Sequence, residues 1–166
     1  INFPINKIDT FHEGQQMSSA FKYLIDQSLW SGSYVTVGIF YETISSNLIW
    51  KFFDQLSIGS TRYLNLIYIF ILKLILVIIF YQITILSKLK DSLQLFFNFL
   101  LNLSGLQLIN YTGGLDNLIW REIFPLLTLL IFLQIFLKPN LKNYLVIFAG
   151  PVSALSIFWS VDRGIV

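Results

Sequence analysis

The pattern of apolar and polar positions changes character near residue 62 of the chain. Downstream of that point, four stretches are long and mainly apolar, and they cover residues 64–86, 93–109, 123–137 and 144–161. A helix of about 20 mainly apolar residues crosses the hydrocarbon core of a bilayer. The pattern therefore predicts an all-α fold, a polytopic transmembrane helix bundle with about four spans.

Lys73 lies in the middle of the first apolar stretch and tests that interpretation. A Lys at the centre of a span costs about 2.5–3.5 kcal/mol, whereas each Leu, Ile, Phe or Val contributes roughly 0.3–0.6 kcal/mol in favour of insertion. Residues 64–86 hold 17 such apolar residues, which together are worth about 5–10 kcal/mol. The first span is therefore expected to tolerate its lysine.

Residues 1–62 follow a different pattern, because they hold five of the nine acidic residues and only short apolar patches. Two of these patches, Val35–Phe40 and Leu48–Phe53, are bordered by charged side chains. We interpret residues 1–62 as an extracytoplasmic loop domain of short helices, some of them on the membrane surface. Residues 63–166 then form the transmembrane domain.

Composition supports a membrane protein over a soluble one. Hydrophobic residues make up 55% of the chain and charged residues 12%, with a mean hydropathy of +0.70, whereas about a quarter of the residues in a soluble domain are charged. The net charge of +2 gives no reason to expect nucleic-acid binding, and the absence of cysteine excludes disulfides and thiolate chemistry. Because the sequence starts with Ile1 and lacks a signal-peptide pattern, we expect it to be a piece of a longer protein.

The short connections between the predicted spans set the orientation. Two of them are basic, and they carry Lys88 and Lys90, and Lys138 and Lys142. Basic loops stay on the cytoplasmic side. This rule places residues 1–62, the loop at 110–122 and the end at 162–166 outside, and these segments together hold eight of the nine carboxylates and all three arginines. The outer face is therefore the expected place of binding or chemistry.

Polar side chains also occur inside the predicted spans. At 100° per residue, one face of the second span carries Asp91, Gln94, Asn98, Asn102 and Gly105. Such a stripe either joins helices through interhelical hydrogen bonds or lines a polar cavity or a groove for lipid head groups. In the fourth span, Gly150-Pro151 predicts a kink.

Two groups of residues are candidates for chemistry. The first is Asp9-Thr10-Phe11-His12-Glu13-Gly14, in which two carboxylates four residues apart can position a general base or share a divalent cation. The second group consists of Arg62, Arg121 and Arg163, each at the predicted outer end of a span, and Arg suits bidentate phosphate binding. The alternatives are a solvated loop for the first group, and interfacial anchors or local ion pairs for the second.

In layout and in two motifs the chain resembles the GT-C-type polytopic membrane glycosyltransferases. The residues that carry the resemblance are Asp9–Gly14, Ser31–Tyr34, Tyr41-Glu42 and Phe53–Arg62. The resemblance implies transfer of a sugar from a polyprenyl-phosphate-type donor to an extracytoplasmic acceptor. It also implies that Asp9 or Glu13 is the general base or a metal-binding acid. No cofactor is certain from the sequence, and a divalent cation is the candidate that this second role would require.

The substrate-binding candidates beside those acids are His12 and the three arginines, and the arginines are chosen on their chemistry alone. The expected partners are the lipid bilayer and a lipid-linked sugar. Ile, Asn, Lys and Phe are abundant and Ala is scarce, which indicates an AT-rich genome. On that basis we expect a bacterial inner membrane. Two other classes stay open: a transporter or flippase that uses Lys73 and the asparagine stripe, and a non-catalytic membrane scaffold.

Overall fold

The structure is a computed structural model, and it describes residues 12–29, 35, 38–108 and 119–160. Within those ranges the chain is helical and contains no strand, which confirms the all-α class. The α-helices are α1 (His12–Asp26), α2 (Ser45–Phe53), α3 (Ile58–Leu86), α4 (Asp91–Leu108), α5 (Ile123–Leu137) and α6 (Lys142–Trp159). A π-helical turn (Ile39–Ile44) leads into α2, and 3-10 turns precede α5 (Ile119–Glu122) and α6 (Pro139–Leu141).

The longest helix is α3, which starts at a clear N-cap. Ser57 has an extended backbone, and its side chain accepts a hydrogen bond from the Ser60 backbone N–H at 3.1 Å, as a capping serine does. The helix therefore begins six residues before the apolar stretch that was expected to start at residue 64. As a consequence, Arg62 lies within the second turn of α3, and the helix runs across the expected boundary between residues 62 and 63.

Two helical segments, rather than about four, are long and apolar enough to cross a membrane. These segments are Ile58–Leu86 and Pro139–Trp159. Helix α5 is strongly apolar, but its 15 residues extend only about 22 Å, less than the roughly 30 Å of a bilayer core. Helix α4 has 18 residues, but its amide and hydroxyl side chains make it less apolar than the two candidate spans, and it is not one of them. The expected count of four spans is therefore wrong for the part of the chain that the structure describes.

The contacts between helices fix their directions. Gly105 of α4 lies against the Phe80 ring of α3, and Asn98 lies against Thr84, so α3 and α4 are antiparallel. At the other end of α3, Tyr68 packs on Trp159 at the end of α6, and Phe124 at the start of α5 packs on the same indole. The N-terminal helices, the start of α5 and the end of α6 therefore meet at one end of the molecule.

The two basic connections lie at the opposite end. The connection that carries Lys88 and Lys90 follows the last turn of α3, and the one that carries Lys138 and Lys142 joins the end of α5 to the start of α6. Each is more than ten residues of helix away from the aromatic residues at the other end. The basic loops and the N-terminal helices therefore lie at opposite ends of the helices.

Helix α6 continues through Pro151 without a break. A single helix covers residues 142–159, and the kink that the sequence predicts at Gly150-Pro151 stays a prediction. A proline ring removes one backbone donor and crowds the preceding turn. The remaining turns of α6 continue on both sides of the proline, so the helix spans its full length as one element.

The apolar core lies between α3, α5 and the end of α6. Its buried residues are Tyr41, Ile69, Leu72, Ile75, Ile79, Ile123 and Trp159. Along α3 these positions recur every three or four residues, which puts them on one face of the helix. The opposite side of α3 leaves large apolar side chains exposed, among them Phe70 and Leu74.

Candidate functional site

A largely buried ion pair joins Glu13 to Arg62. The Arg62 Nε donates to Glu13 Oε1 at 2.6 Å, and Nη2 donates to Oε2 at 3.0 Å. Both groups are largely inaccessible, since the side chains of Arg62 and Glu13 are 20% and 7% exposed. This two-point geometry, in which the planar fork of the guanidinium meets both carboxylate oxygens, is the strongest form of an Arg–carboxylate pair.

Two helix starts place this pair. Glu13 lies in the first turn of α1, where a carboxylate is favoured by the helix dipole. Arg62 lies near the start of α3, where a cation gains nothing from the dipole and therefore depends on a carboxylate partner. The sequence separation is 49 residues, so this pairing is a property of the fold and not of a local motif.

The pairing gives Glu13 a defined task. Both of its oxygens accept hydrogen bonds from Arg62, and the carboxylate therefore holds the guanidinium in one orientation. An arginine fixed in this way keeps its charge and its planar orientation. The structure thus brings two of the residues predicted for the site, Glu13 and Arg62, into direct contact.

A buried polar network continues from this pair between α1 and α2. The Gln16 amide donates to Ser46 Oγ at 2.9 Å, and the Ser19 and Thr43 hydroxyls lie 2.5 Å apart. All four side chains are buried. Buried polar groups are stable where they satisfy one another, and this network holds α1, which carries Glu13, against the π-helical turn and α2.

Glu42 is a buried acid for which the sequence suggested no role. It lies in the π-helical turn and is 2% exposed. Carboxylates are rarely buried this deeply, and π-helical turns occur frequently at functional sites. Burial of an acid beside Tyr41 and Thr43 is the signal that marks Glu42 as a candidate site residue, and it cannot be read from the spacing of residues along the chain.

An aromatic cluster separates this polar region from the apolar helices. The Trp159 ring centroid lies 5.8 Å from Tyr41, 5.0 Å from Tyr68 and 5.3 Å from Phe124, each edge-on. Gly38 packs so closely on the end of α6 that a Cβ at this position would overlap the Trp159 carbonyl oxygen. The end of α6 is therefore tied directly to the turn that carries Glu42.

The other predicted site residues have different positions. Arg121 lies in the 3-10 turn Ile119–Glu122, which packs on α3 and leads into α5. His12 is the first residue of α1, but its side chain is outside the described part of the structure, as are Asp9 and Arg163.

The described residues contain no group of three or more His, Asp or Glu side chains that could hold a metal ion. A metal role for Asp9 and Glu13 involves a residue outside the described ranges. Within them, Glu13 pairs with the Arg62 guanidinium.

The asparagine stripe of α4 faces α3. The Asn98 amide donates to Thr84 Oγ1 at 3.3 Å, and the Asn102 amide donates to Asn98 Oδ1 at 2.7 Å. Of the two interpretations, the structure supports hydrogen bonding between helices. The Asn102 Oδ1 and Gln82 Oε1 atoms are buried without a hydrogen-bond partner.

Comparison with known proteins identifies no relative: no family model, no curated protein and no solved structure matches the chain. Its function is therefore inferred from the residues and their geometry.

Proposed function

We propose that the chain is the catalytic part of a multi-pass membrane glycosyltransferase. It would transfer a sugar from a polyprenyl-phosphate-type donor to an acceptor on the extracytoplasmic side, in a bacterial inner membrane. The observation that carries the proposal is the bidentate Glu13–Arg62 pair at the start of the longest apolar helix. A fixed cation at the level where an apolar surface begins suits a phosphate whose lipid chain stays in the bilayer.

The distribution of exposed apolar residues supports membrane insertion. Phe70 on α3 is 62% exposed and Phe148 on α6 is 64% exposed, and both lie in the two segments that are long enough to cross a bilayer. Continuous exposed apolar surface is unfavourable in water and is typical of surfaces that face lipid or a partner. A bilayer would cover the exposed apolar side chains of α3 and α6 along the whole length of both helices.

The separation of the basic loops from the N-terminal helices supports the orientation. Lys88, Lys90, Lys138 and Lys142 lie at the end away from Glu13 and Arg62. If the basic end is cytoplasmic, the Glu13–Arg62 pair lies at the outer membrane surface. This is the side on which a lipid-linked sugar meets an extracytoplasmic acceptor.

The proposed chemistry gives each residue one task. Asp9 takes the proton from the acceptor hydroxyl, a step in which a general base contributes about 10²–10⁴-fold. Arg62 stabilises the phosphate that leaves when the acceptor oxygen attacks the sugar carbon. Glu13 is a positioning residue for Arg62, and Arg121 and Arg163 are further candidates for the donor phosphate.

The structure gives less support to a transporter. Transporter sites are commonly built from broken helices at mid-membrane, but α6 is continuous through Pro151. The asparagine stripe takes part in packing between α3 and α4. The third class, a non-catalytic scaffold, is distinguished from an enzyme by an activity measurement.

The test is transfer from a radiolabelled polyprenyl-phosphate sugar by the full-length protein in proteoliposomes. We expect Asp9→Asn and Arg62→Lys each to lower the rate by about 10²-fold or more, because one removes the base and the other removes the bidentate fork. Lys22→Gln is the control, since Lys22 is an exposed residue of α1 paired with Asp26. Full activity in both site variants, with normal membrane insertion, would remove these residues from the mechanism.

A further inference from the structure

Four exposed lysines lie at the end of the molecule opposite the N-terminal helices. They belong to the two short connections that join α3 to α4 and α5 to α6, and we call them together the basic end: Lys88, Lys90, Lys138 and Lys142. Asp91 is the one carboxylate in or next to these two connections in the sequence. The four lysines and one carboxylate give this end a net charge of +3.

The fold brings the two connections to a similar depth. Tyr68 of α3 and Phe124 of α5 both pack on Trp159, and from that level the two helices run toward the basic end in contact with each other. At 1.5 Å per residue, Lys88 lies about 30 Å beyond Tyr68, and Lys138 lies about 21 Å beyond Phe124. Because a bilayer core is about 30 Å thick, the basic end reaches one membrane surface when the aromatic residues lie near the other.

The charges of the basic end are not neutralised within the described part of the chain. Among the described residues, neither the four lysines nor Asp91 takes part in an ion pair. Helix dipoles favour a cation at Lys88 and Lys138, which follow the ends of α3 and α5. Lys90 and Lys142, however, lie at the starts of α4 and α6, where the dipole disfavours a cation. An anion bound here would therefore offset an unfavourable concentration of positive charge.

Exposed apolar side chains border the same lysines. Leu86 is 37% exposed, Phe136 is 72% exposed and Tyr144 is 67% exposed, and each lies two residues from a lysine in the sequence. A soluble anion would use the positive charges but leave these apolar surfaces in water, which is unfavourable. A phospholipid uses both features, because its phosphate can contact the lysines while its acyl chains cover the apolar side chains.

We propose that the basic end binds the head group of an anionic phospholipid in the cytoplasmic leaflet. The lysines form two pairs, one for each connection, and this arrangement suits a head group with two phosphates, as in cardiolipin. Basic surfaces between membrane helices on the cytoplasmic side bind such head groups. The assignment rests on the proposed membrane insertion but not on sugar transfer, and it adds a ligand site on the face away from Glu13 and Arg62.

The experiment measures binding of cardiolipin with a fluorescent acyl chain to the purified full-length protein in detergent micelles. Fluorescence anisotropy gives the Kd, and the orientation of the protein in a membrane does not affect the result. Unlabelled cardiolipin should displace the probe best, phosphatidylglycerol more weakly, and phosphatidylcholine hardly at all. Inorganic pyrophosphate carries the charge without the acyl chains, so it should displace little of the probe at the same phosphate concentration.

Two independent double variants test the lysines. Because each lysine near an anionic lipid surface contributes about five-fold to binding, we expect Lys88→Gln with Lys138→Gln to raise the Kd about 25-fold, and Lys90→Gln with Lys142→Gln to do the same. Replacement of the first pair by arginine keeps the charge and should leave the Kd within about two-fold.

The matched control is Lys22→Gln with Lys51→Gln. These two lysines are also exposed, but they lie on α1 and α2 at the opposite end of the molecule. This control removes the same number of charges and should leave the Kd nearly unchanged. Circular dichroism melts of all variants establish that each one is folded.

Three results would overturn the assignment: equal displacement by phosphatidylcholine, displacement by pyrophosphate as effective as by cardiolipin, or no larger effect of the two lysine variants than of the control. Failure of the proposed function gives a different pattern. Selective cardiolipin binding without any sugar transfer would reject the enzyme alone, whereas sugar transfer without selective binding would reject the basic end as a lipid site alone.

Discussion

The N-terminal helices and the apolar helices have similar exteriors, but the interior of the N-terminal helices is the more polar of the two. On α2, Phe52 is 79% exposed, and on α6, Ile147 is 68% exposed. In the N-terminal region most buried side chains are hydroxyls, amides and acids, with Ala20 and Trp50 among them. The middle of α3, by contrast, buries Leu72, Ile75 and Ile79, and its buried polar residues lie toward its two ends. Apolar packing depends on shape, but a polar interior depends on complete pairing. The first region is therefore expected to be the less tolerant of conservative changes.

The largest effect is expected at the Glu13–Arg62 pair. Removing one partner leaves the other charged and mostly buried, which costs about 3–5 kcal/mol. We therefore expect Glu13→Ala and Arg62→Ala each to lower the thermal unfolding temperature sharply in detergent, and the double variant to lose less than the two single losses added together.

The exposed pair Lys22–Asp26 is the control for that experiment. It has an N–O distance of 2.8 Å, but its side chains are 49% and 33% exposed. Loss of such a surface pair costs about 0.3–0.5 kcal/mol. Equal losses at the two pairs would show that burial of Glu13 and Arg62 has no energetic consequence.

The next largest effect is expected at the contact between the two regions. Gly38→Ala puts a methyl group on the Trp159 carbonyl, which is backbone and cannot rotate away. Overpacking of this kind costs about 1–3 kcal/mol. Gly150→Ala meets no atom within 4 Å and should leave stability unchanged or higher, because Ala favours a helix over Gly. Circular dichroism melts of both variants measure the difference, and identical melts would argue against the contact.

An effect of similar size is expected within the polar network. Thr43→Val or Ser19→Ala leaves one buried hydroxyl without its partner, at a cost of about 1–3 kcal/mol. The combined Ser19→Ala and Thr43→Val variant removes both hydroxyls and should recover much of that loss. A double-mutant cycle from unfolding data tests this, and simple additivity would mean that the two hydroxyls do not interact.

The smallest effect is expected between α3 and α4. Thr84→Val removes the acceptor of the Asn98 amide, and hydrogen bonds between membrane helices average about 0.6 kcal/mol. We expect a shift several-fold smaller than that of Thr43→Val in the same melting assay. A loss equal to that of Thr43→Val would remove the proposed contrast between the two regions.

Helix type and the positions of the main helices were predictable from the sequence. Long apolar runs located α3, α5 and α6, because such a run is visible in the local sequence without knowledge of tertiary contacts. Helix α3 starts six residues before the apolar run. The run marks only the apolar segment of the helix, whereas the N-cap Ser57 marks where the helix begins. The number of spans was overestimated, because short α5 and amide-rich α4 were judged on the apolar pattern alone.

The candidate site was predictable only in part. Glu13 and Arg62 were selected for their chemistry, but their contact depends on how α1 packs on α3 across 49 residues of sequence. The π-helical turn and the burial of Glu42 have no local sequence signal, because both arise from packing against α1 and Trp159. Asp9 and Arg163 remain predictions from the sequence.

The central claim is that Glu13 and Arg62 lie on one side of a membrane and the basic loops on the other. The sequence has no cysteine, so single cysteines can be introduced at the exposed Gln55, near Arg62, and at the exposed Lys88. In intact cells expressing the full-length protein without other cysteines, a membrane-impermeant maleimide should label Gln55→Cys at once and Lys88→Cys only after permeabilisation. Labelling of both positions from the same compartment would contradict the account.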